Sequence, residues 1–123
     1  MAASPGRGSQ RKGAAGEREL VKILHEYGLT EAHRTEGSGK NKDGDITNVP
    51  GLHLEAKRTE TFSPYKNYEQ ANADRGIGNQ LPVVAHRKNA GQWMMFLSLA
   101  DFMKHYLAWQ GMDPPEETQR ELS

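Results

Sequence analysis

The chain has 123 residues, its 16 Lys and Arg offset 16 Asp and Glu, and only 35% of its residues are hydrophobic. That length suits one domain with one core, and the neutral balance removes the self-repulsion that keeps apolar-poor, highly charged chains unfolded. The absence of cysteine excludes disulfides and thiolate metal sites, no apolar run approaches the roughly 20 residues of a membrane span, and no apolar stretch follows the first basic residues as a secretory signal requires.

Taken in chain order, residues 1–13 are rich in Gly, Ser and Arg and read as a flexible basic arm that carries Arg7, Arg11 and Lys12. A single domain is expected over 14–110, followed by a polar tail over 111–123. Ala14 to Tyr27 reads as a helix, because Leu20, Val21, Ile23, Leu24 and Tyr27 recur at helical spacing and Gly28 can stop it. His33 to Lys42 is a polar, Gly-rich loop, with room for a short strand at Arg34. Asp45–Val49 and Leu52–Arg58 read as a hairpin about Pro50-Gly51. Pro64 opens a second helix to about Asp74, and Leu81–His86 and Trp93–Leu99 are two further strands. Asp101 is placed to cap a last helix over Phe102–Trp109. This order predicts an α/β domain with a mixed central β-sheet flanked by helices.

The chemistry centres on Leu52-His53-Leu54-Glu55-Ala56-Lys57. Alternate strand residues share a face, so Leu52, Leu54 and Ala56 point to the core while His53, Glu55 and Lys57 point the other way. Asp45 stands on the neighbouring strand. A two-residue loop at Pro50-Gly51 would put it on the wrong face, whereas pairing Asn48 with Leu52 sets it opposite Glu55. Pro-Gly suits a type II turn, which splays two-residue hairpins, so the longer loop is the expected one. Two converging carboxylates suit a hard cation such as Mg²⁺, with Lys57 placed to orient water or neutralise charge and the Ala56 carbonyl available to the ion. Glu17 lies at the edge of the helix's apolar stripe, near Val21 and Leu24, while Glu19 and Glu26 face away. A carboxylate bordering a buried face needs a partner, and a metal or its water would serve.

Asp45, nine intervening residues and Glu55-Ala56-Lys57 resemble the PD-(D/E)xK nuclease signature. Gly16-Glu17-Arg18-Glu19 and Glu36-Gly37-Ser38-Gly39 resemble the phage and archaeal Holliday-junction resolvases within that superfamily. The likeness continues through Glu69-Gln70-Ala71, Pro82 to Arg87 and Trp93 to Phe102. It implies a restriction-endonuclease-like core, divalent-metal hydrolysis of DNA phosphodiesters, Mg²⁺ replaceable by Mn²⁺, and a homodimer with two sites for two strands. It also implies catalytic roles for Glu17, Asp45, Glu55, Lys57 and Gln70, and a phosphate contact for Ser38. One departure stands at Gly44, where the signature usually has proline. The expected setting is the cytoplasm of a bacterial, archaeal or phage-infected cell. The alternatives are a nuclease of repair, replication or restriction type and, from another class, a non-catalytic DNA-binding protein.

Against this stands the plain reading of a surface hairpin with one salt bridge, worth about 0–1 kcal/mol. The Gly37-Ser38-Gly39-Lys40 loop lacks the spacing of a nucleotide-binding P-loop. Arg11, Lys12, Arg34, Lys40, Lys42, Arg58 and Arg87 are each ordinary surface charges alone, but together they can position a DNA backbone without reading sequence. Trp93, Phe96 and Phe102 read as core or dimer contacts rather than base-stacking platforms.

Overall fold

The computed structural model of the chain describes residues 7–35, 44–75 and 80–113, and side chains from residue 13 onward. Eight elements follow in order: α1 (Arg7–Glu26), β1 (His33–Arg34), β2 (Ile46–Thr47), β3 (Leu52–Arg58), α2 (Pro64–Asp74), β4 (Leu81–Arg87), β5 (Met94–Phe96) and α3 (Leu99–Trp109). The sheet β3-β4-β5 is mixed, β3 with β4 parallel and β4 with β5 antiparallel. An α/β core with helices against a mixed sheet is therefore what the chain forms.

Strand alternation sorts the sheet into two faces. Leu54, Val83 and Ala85 meet Leu20 of α1 in the main core, which also takes in Ala32, Ile46 and Val49. The opposite face carries His53, Glu55 and Lys57, cross-paired with Pro82, Val84 and His86, and α2 covers it through the buried Ala71 and the rings of Tyr65 and Tyr68 against Phe96. The parallel β3–β4 pair needs a crossover, and α2 supplies it.

Two expectations about α1 and α3 shift. The first helix begins at Arg7 rather than Ala14, since Gln10, Arg11 and Lys12 are good helix formers and extend it beyond its apolar stripe. It ends at Glu26, one residue before the expected Tyr27, and the chain turns at Gly28, whose φ is 102°, with Leu29 N–H bonded to the Leu24 carbonyl at 2.9 Å. The last helix begins at Leu99, capped by Ser98, whose hydroxyl accepts from the Asp101 N–H at 3.1 Å. Asp101 instead sits in the first turn, where the helix dipole favours its charge.

The expected hairpin does not form. β2 pairs antiparallel with β1, Arg34 opposite Ile46, and β3 takes β4 as its ladder partner. Asn48 and Gly51 adopt positive φ of 62° and 87°, so the chain turns away after β2 before entering β3. The stretch before β2 instead touches β3 through one parallel bridge, Gly44 to Leu54. This contact has a strict steric condition. Gly44 has φ 77°, and a Cβ there would stand 2.5 Å from the Leu54 carbonyl oxygen. Proline, with φ near −65°, cannot replace it. The departure from the nuclease signature is thus a requirement of this backbone.

Gly44→Ala should cost about 2–4 kcal/mol, combining left-handed backbone strain with a backbone clash. Urea denaturation measures it, and a loss below about 0.5 kcal/mol would show that Gly44 does not cross β3 as described.

Candidate functional site

Asp45 reaches Glu55 through backbone contacts instead of a hairpin register. Its N–H donates to the Leu54 carbonyl at 2.8 Å, and the Ala56 N–H donates to its Oδ2 at 2.8 Å. These two bonds lock Asp45 against the strand that carries Glu55, and the Asp45 carboxyl hydrogen-bonds the Glu55 carboxylate. His53, fully buried, places Nε2 3.2 Å from Glu55 Oε1. A carboxylate only accepts, so the imidazole is the donor.

The electrostatics follow from burial and proximity. Burial, then the negative charge of Glu55, push Asp45 up to about 7, with the Ala56 N–H opposing and Glu17 adding to the rise. Burial also raises Glu55, but the hydrogen bonds from His53 and Asp45 and the charges of His53 and Lys57 outweigh it and hold Glu55 below the usual range. Below about pH 7 the pair therefore keeps a proton on Asp45.

Glu17 stands close enough to act on Asp45, and its Oε1 accepts from Arg34 Nε at 2.9 Å. Arg34 is thus tied to the acidic cluster, its side chain 39% exposed. Glu17 on α1 and Lys57 on β3 stand within electrostatic reach of the pair formed by Asp45, just before β2, and Glu55 on β3.

It does not bring Gln70 there. That amide is exposed on α2 and donates to Asp74 Oδ1 at 2.9 Å. Arg58 and Arg87 lie on the α1 face of the sheet, paired across β3 and β4. Arg58 packs beneath Gly16, where an added Cβ would come 2.7 Å from its own Cβ. Arg87 grips Glu19 through Nε at 2.7 Å and Nη2 at 3.1 Å, while Trp93 Nε1 donates to the same carboxylate at 2.7 Å. Glu19 therefore does not face away, as its place outside the apolar stripe suggested. Burial raises its pKa, but these bonds and the charges of Arg87 and Arg58 bring it below normal. Ser38, Lys40, Lys42 and the side chains of Arg11 and Lys12 lie outside the described residues.

The residue that sequence reasoning undervalued is His53. Its signal was present, two positions before Glu55 on the same face. The Glu19–Arg87–Trp93 network left no comparable trace, because its members lie 68 and 74 residues apart.

Among the described residues no group of three or more His, Cys, Asp or Glu is gathered as a metal cage. The chemistry of the Asp45–Glu55 pair nevertheless fits a divalent cation. Magnesium is commonly held by one or two carboxylates with waters completing its shell, and its charge would displace the shared proton.

A rigid sheet edge bearing aspartate, glutamate and lysine in this order is the active-site pattern of PD-(D/E)xK nucleases. The family model described as phage putative PDDEXK endonuclease matches residues 8–117, and the chain belongs to that family. No curated protein and no solved structure matches it. No described helix is long and apolar enough to cross a membrane.

The raised Asp45 sets the sign of a stability effect. Its folded pKa of about 7 exceeds the ordinary 3.8, so folding is penalised increasingly as pH rises from about 4 through 7. Asp45→Asn keeps an acceptor for the Ala56 N–H and removes that penalty. The variant should gain stability relative to wild type by on the order of 1–3 kcal/mol between pH 5 and 8 without divalent metal. Denaturation at the two pH values measures it; a difference independent of pH would contradict the shared proton.

Proposed function

We propose that this nuclease is a divalent-metal-dependent, structure-selective DNA endonuclease that resolves four-way junctions. The observation that carries the metal dependence is the contact between the half-buried Asp45 and Glu55 carboxyls, held by the Leu54 carbonyl and the Ala56 N–H. Asp45 and Glu55 would hold Mg²⁺, or Mn²⁺ in its place, with the Ala56 carbonyl as a further ligand and Glu17 through water. When bound, the cation supplies Lewis-acid polarisation of the scissile phosphate and a lowered pKa for an attacking water.

The remaining work falls to the chain's own side chains. His53 orients Glu55 from the buried side and favours its ionised form, leaving that carboxylate preorganised. Lys57, on the same face, offers its ammonium to the charge that develops on the phosphate. Glu17 holds Arg34 beside the site, and the exposed part of that guanidinium is placed to meet a backbone phosphate. Lys40 and Lys42, together with Ser38 and the basic Arg11 and Lys12, would extend that contact along DNA. Arg58 and Arg87, bound to the other sheet face, are not needed for this reading, and Gln70 contributes only if it leaves Asp74.

Junction preference is supported by the likeness of the Gly16–Glu19 helix and the Glu36–Gly39 loop to Holliday-junction resolvases, and by the lack of a recognisable base-reading helix. A non-catalytic role is disfavoured by the complete Asp45, Glu55 and Lys57 set.

Labelled four-way junctions, flaps and linear duplex incubated side by side with Mg²⁺ test the substrate. Paired nicks confined to the junction are expected; equal cutting of all three would shift the assignment to a repair, replication or restriction type. Lys57→Ala should reduce cleavage at least 100-fold while junction binding stays within a few-fold, on the scale of losing one transition-state contact. Full activity in that variant would remove Lys57 from the mechanism.

A further inference from the structure

The sheet face that carries Glu55 and Lys57 continues into a set of rings. Lys57 on β3 is paired directly with His86 on β4, and neighbouring strands lie about 4.8 Å apart. The His86 imidazole donates from Nε2 to the Thr59 carbonyl at 2.8 Å. Phe62 lies flat on that imidazole, with centroids 4.1 Å apart and an interplanar angle of 5°. Phe96 of β5 shares the face through Val84, which is itself paired with Glu55. It meets Phe62 at 6.3 Å, Tyr65 at 5.4 Å and Tyr68 at 6.1 Å, each edge to face. The other rings of this set are half-buried, but Tyr65 is 75% exposed. One aromatic side chain is thus held by the cluster while most of its surface meets solvent.

The surroundings of Tyr65 say what can cover it. The residue follows Pro64 in the first turn of α2. Ser63, at the cap position, makes no side-chain bond to the first-turn N–H groups, and no acidic residue stands in that turn. The turn therefore keeps the positive end of the helix dipole, and the exposed Lys66 adds a full charge. An apolar protein surface laid on Tyr65 would have to strip water from that charge and from the uncapped N–H groups. A nucleotide satisfies both features, its base offering a π-face to the ring and its phosphate an acceptor to the helix end.

We infer that Tyr65 is a specificity-determining residue of this nuclease, stacking an unpaired DNA base of the strand whose backbone crosses the Lys57 face. In a paired duplex each base is already stacked between its neighbours and has no open π-face. At a branch, flap or gap a base can leave the stack at lower cost, so the ring favours DNA with an unpaired nucleotide beside the cut. The inference rests on the nuclease reading of the Asp45–Glu55–Lys57 site, but not on which branched structure is cleaved.

The test uses the whole chain in EDTA, so that no strand is cut, and reads binding by fluorescence anisotropy. Two labelled probes are compared, a fully paired duplex and the same duplex interrupted by a short unpaired thymidine stretch. Tyr65→Ala should weaken binding of the interrupted probe by roughly 5- to 150-fold, the scale of losing one base stacked on an aromatic ring, and leave the paired probe nearly unchanged. Tyr65→Phe should bind both probes as wild type does, because the ring and not the hydroxyl is used, whereas Tyr65→Leu should behave like the alanine variant. Circular dichroism should be the same for all, since the side chain is exposed. Iododeoxyuridine within the unpaired stretch should cross-link to Tyr65 on irradiation. Equal losses on both probes, no loss in Tyr65→Ala, or full binding by Tyr65→Leu overturns the inference. So does a cross-link confined to other residues, or a wild type that prefers neither probe. An enzyme that cuts junctions and duplex alike, yet needs Tyr65 for the interrupted probe, defeats the junction assignment and leaves this inference standing; a junction-specific enzyme indifferent to Tyr65→Ala does the reverse.

Discussion

Asp45 and Glu55 are pressed together in a partly buried recess where two negative charges cannot both be tolerated without compensation. Water would screen such a pair on an open surface, but here burial is the largest influence on both groups, and at Asp45 the charge of Glu55 adds to it. The apparent cost is concentrated on Asp45, which keeps the proton, while His53 and Lys57 hold Glu55 ionised. A site arranged in this way has an affinity for positive charge built into it. In the proposed metal-dependent reaction a cation would take the place of that proton.

The rest of the fold serves to keep that contact from relaxing. Carboxylates left free would rotate apart; these have their oxygens and backbones occupied. Ala56 N–H holds one oxygen of Asp45, Leu54 carbonyl holds its backbone, and the buried imidazole of His53 holds Glu55 from below. Gly44 makes the approach sterically feasible, since any side chain at that position would occupy the space of the Leu54 carbonyl. On the opposite sheet face Glu19 binds the Arg87 guanidinium and ties α1 to β4. The helix that carries Glu17 is thereby fixed relative to the strand that carries Glu55.

Much of this was readable from local pattern. The alternation of Leu52 to Arg58 separated the face of Glu55 and Lys57 from the core correctly, and helical spacing put Glu17 toward the acidic cluster. The element order followed from periodicity and from Pro and Gly signals. What failed was pairing. Pro50-Gly51 suggested that neighbouring strands close a hairpin, but the positive φ at Asn48 and Gly51 directs the chain elsewhere, and β3 finds its partner 29 residues along, Leu52 opposite Leu81. Asp45 still meets Glu55, by a contact that register arithmetic did not contain. Glu19 was misplaced for the same kind of reason: a helical wheel knows one apolar stripe and nothing of an arginine on β4. Long-range pairing is a property of the assembled sheet, so residues that act across it stay invisible until the sheet exists.

The most direct measurement is the titration of the Asp45 side-chain carboxyl followed by ¹³C NMR, without metal and then with saturating Mg²⁺. A midpoint near 7 without metal, falling by at least two pH units once the ion is present, is the expected result. A midpoint near 4 that Mg²⁺ leaves unmoved would mean that Asp45 and Glu55 neither share a proton nor hold a cation.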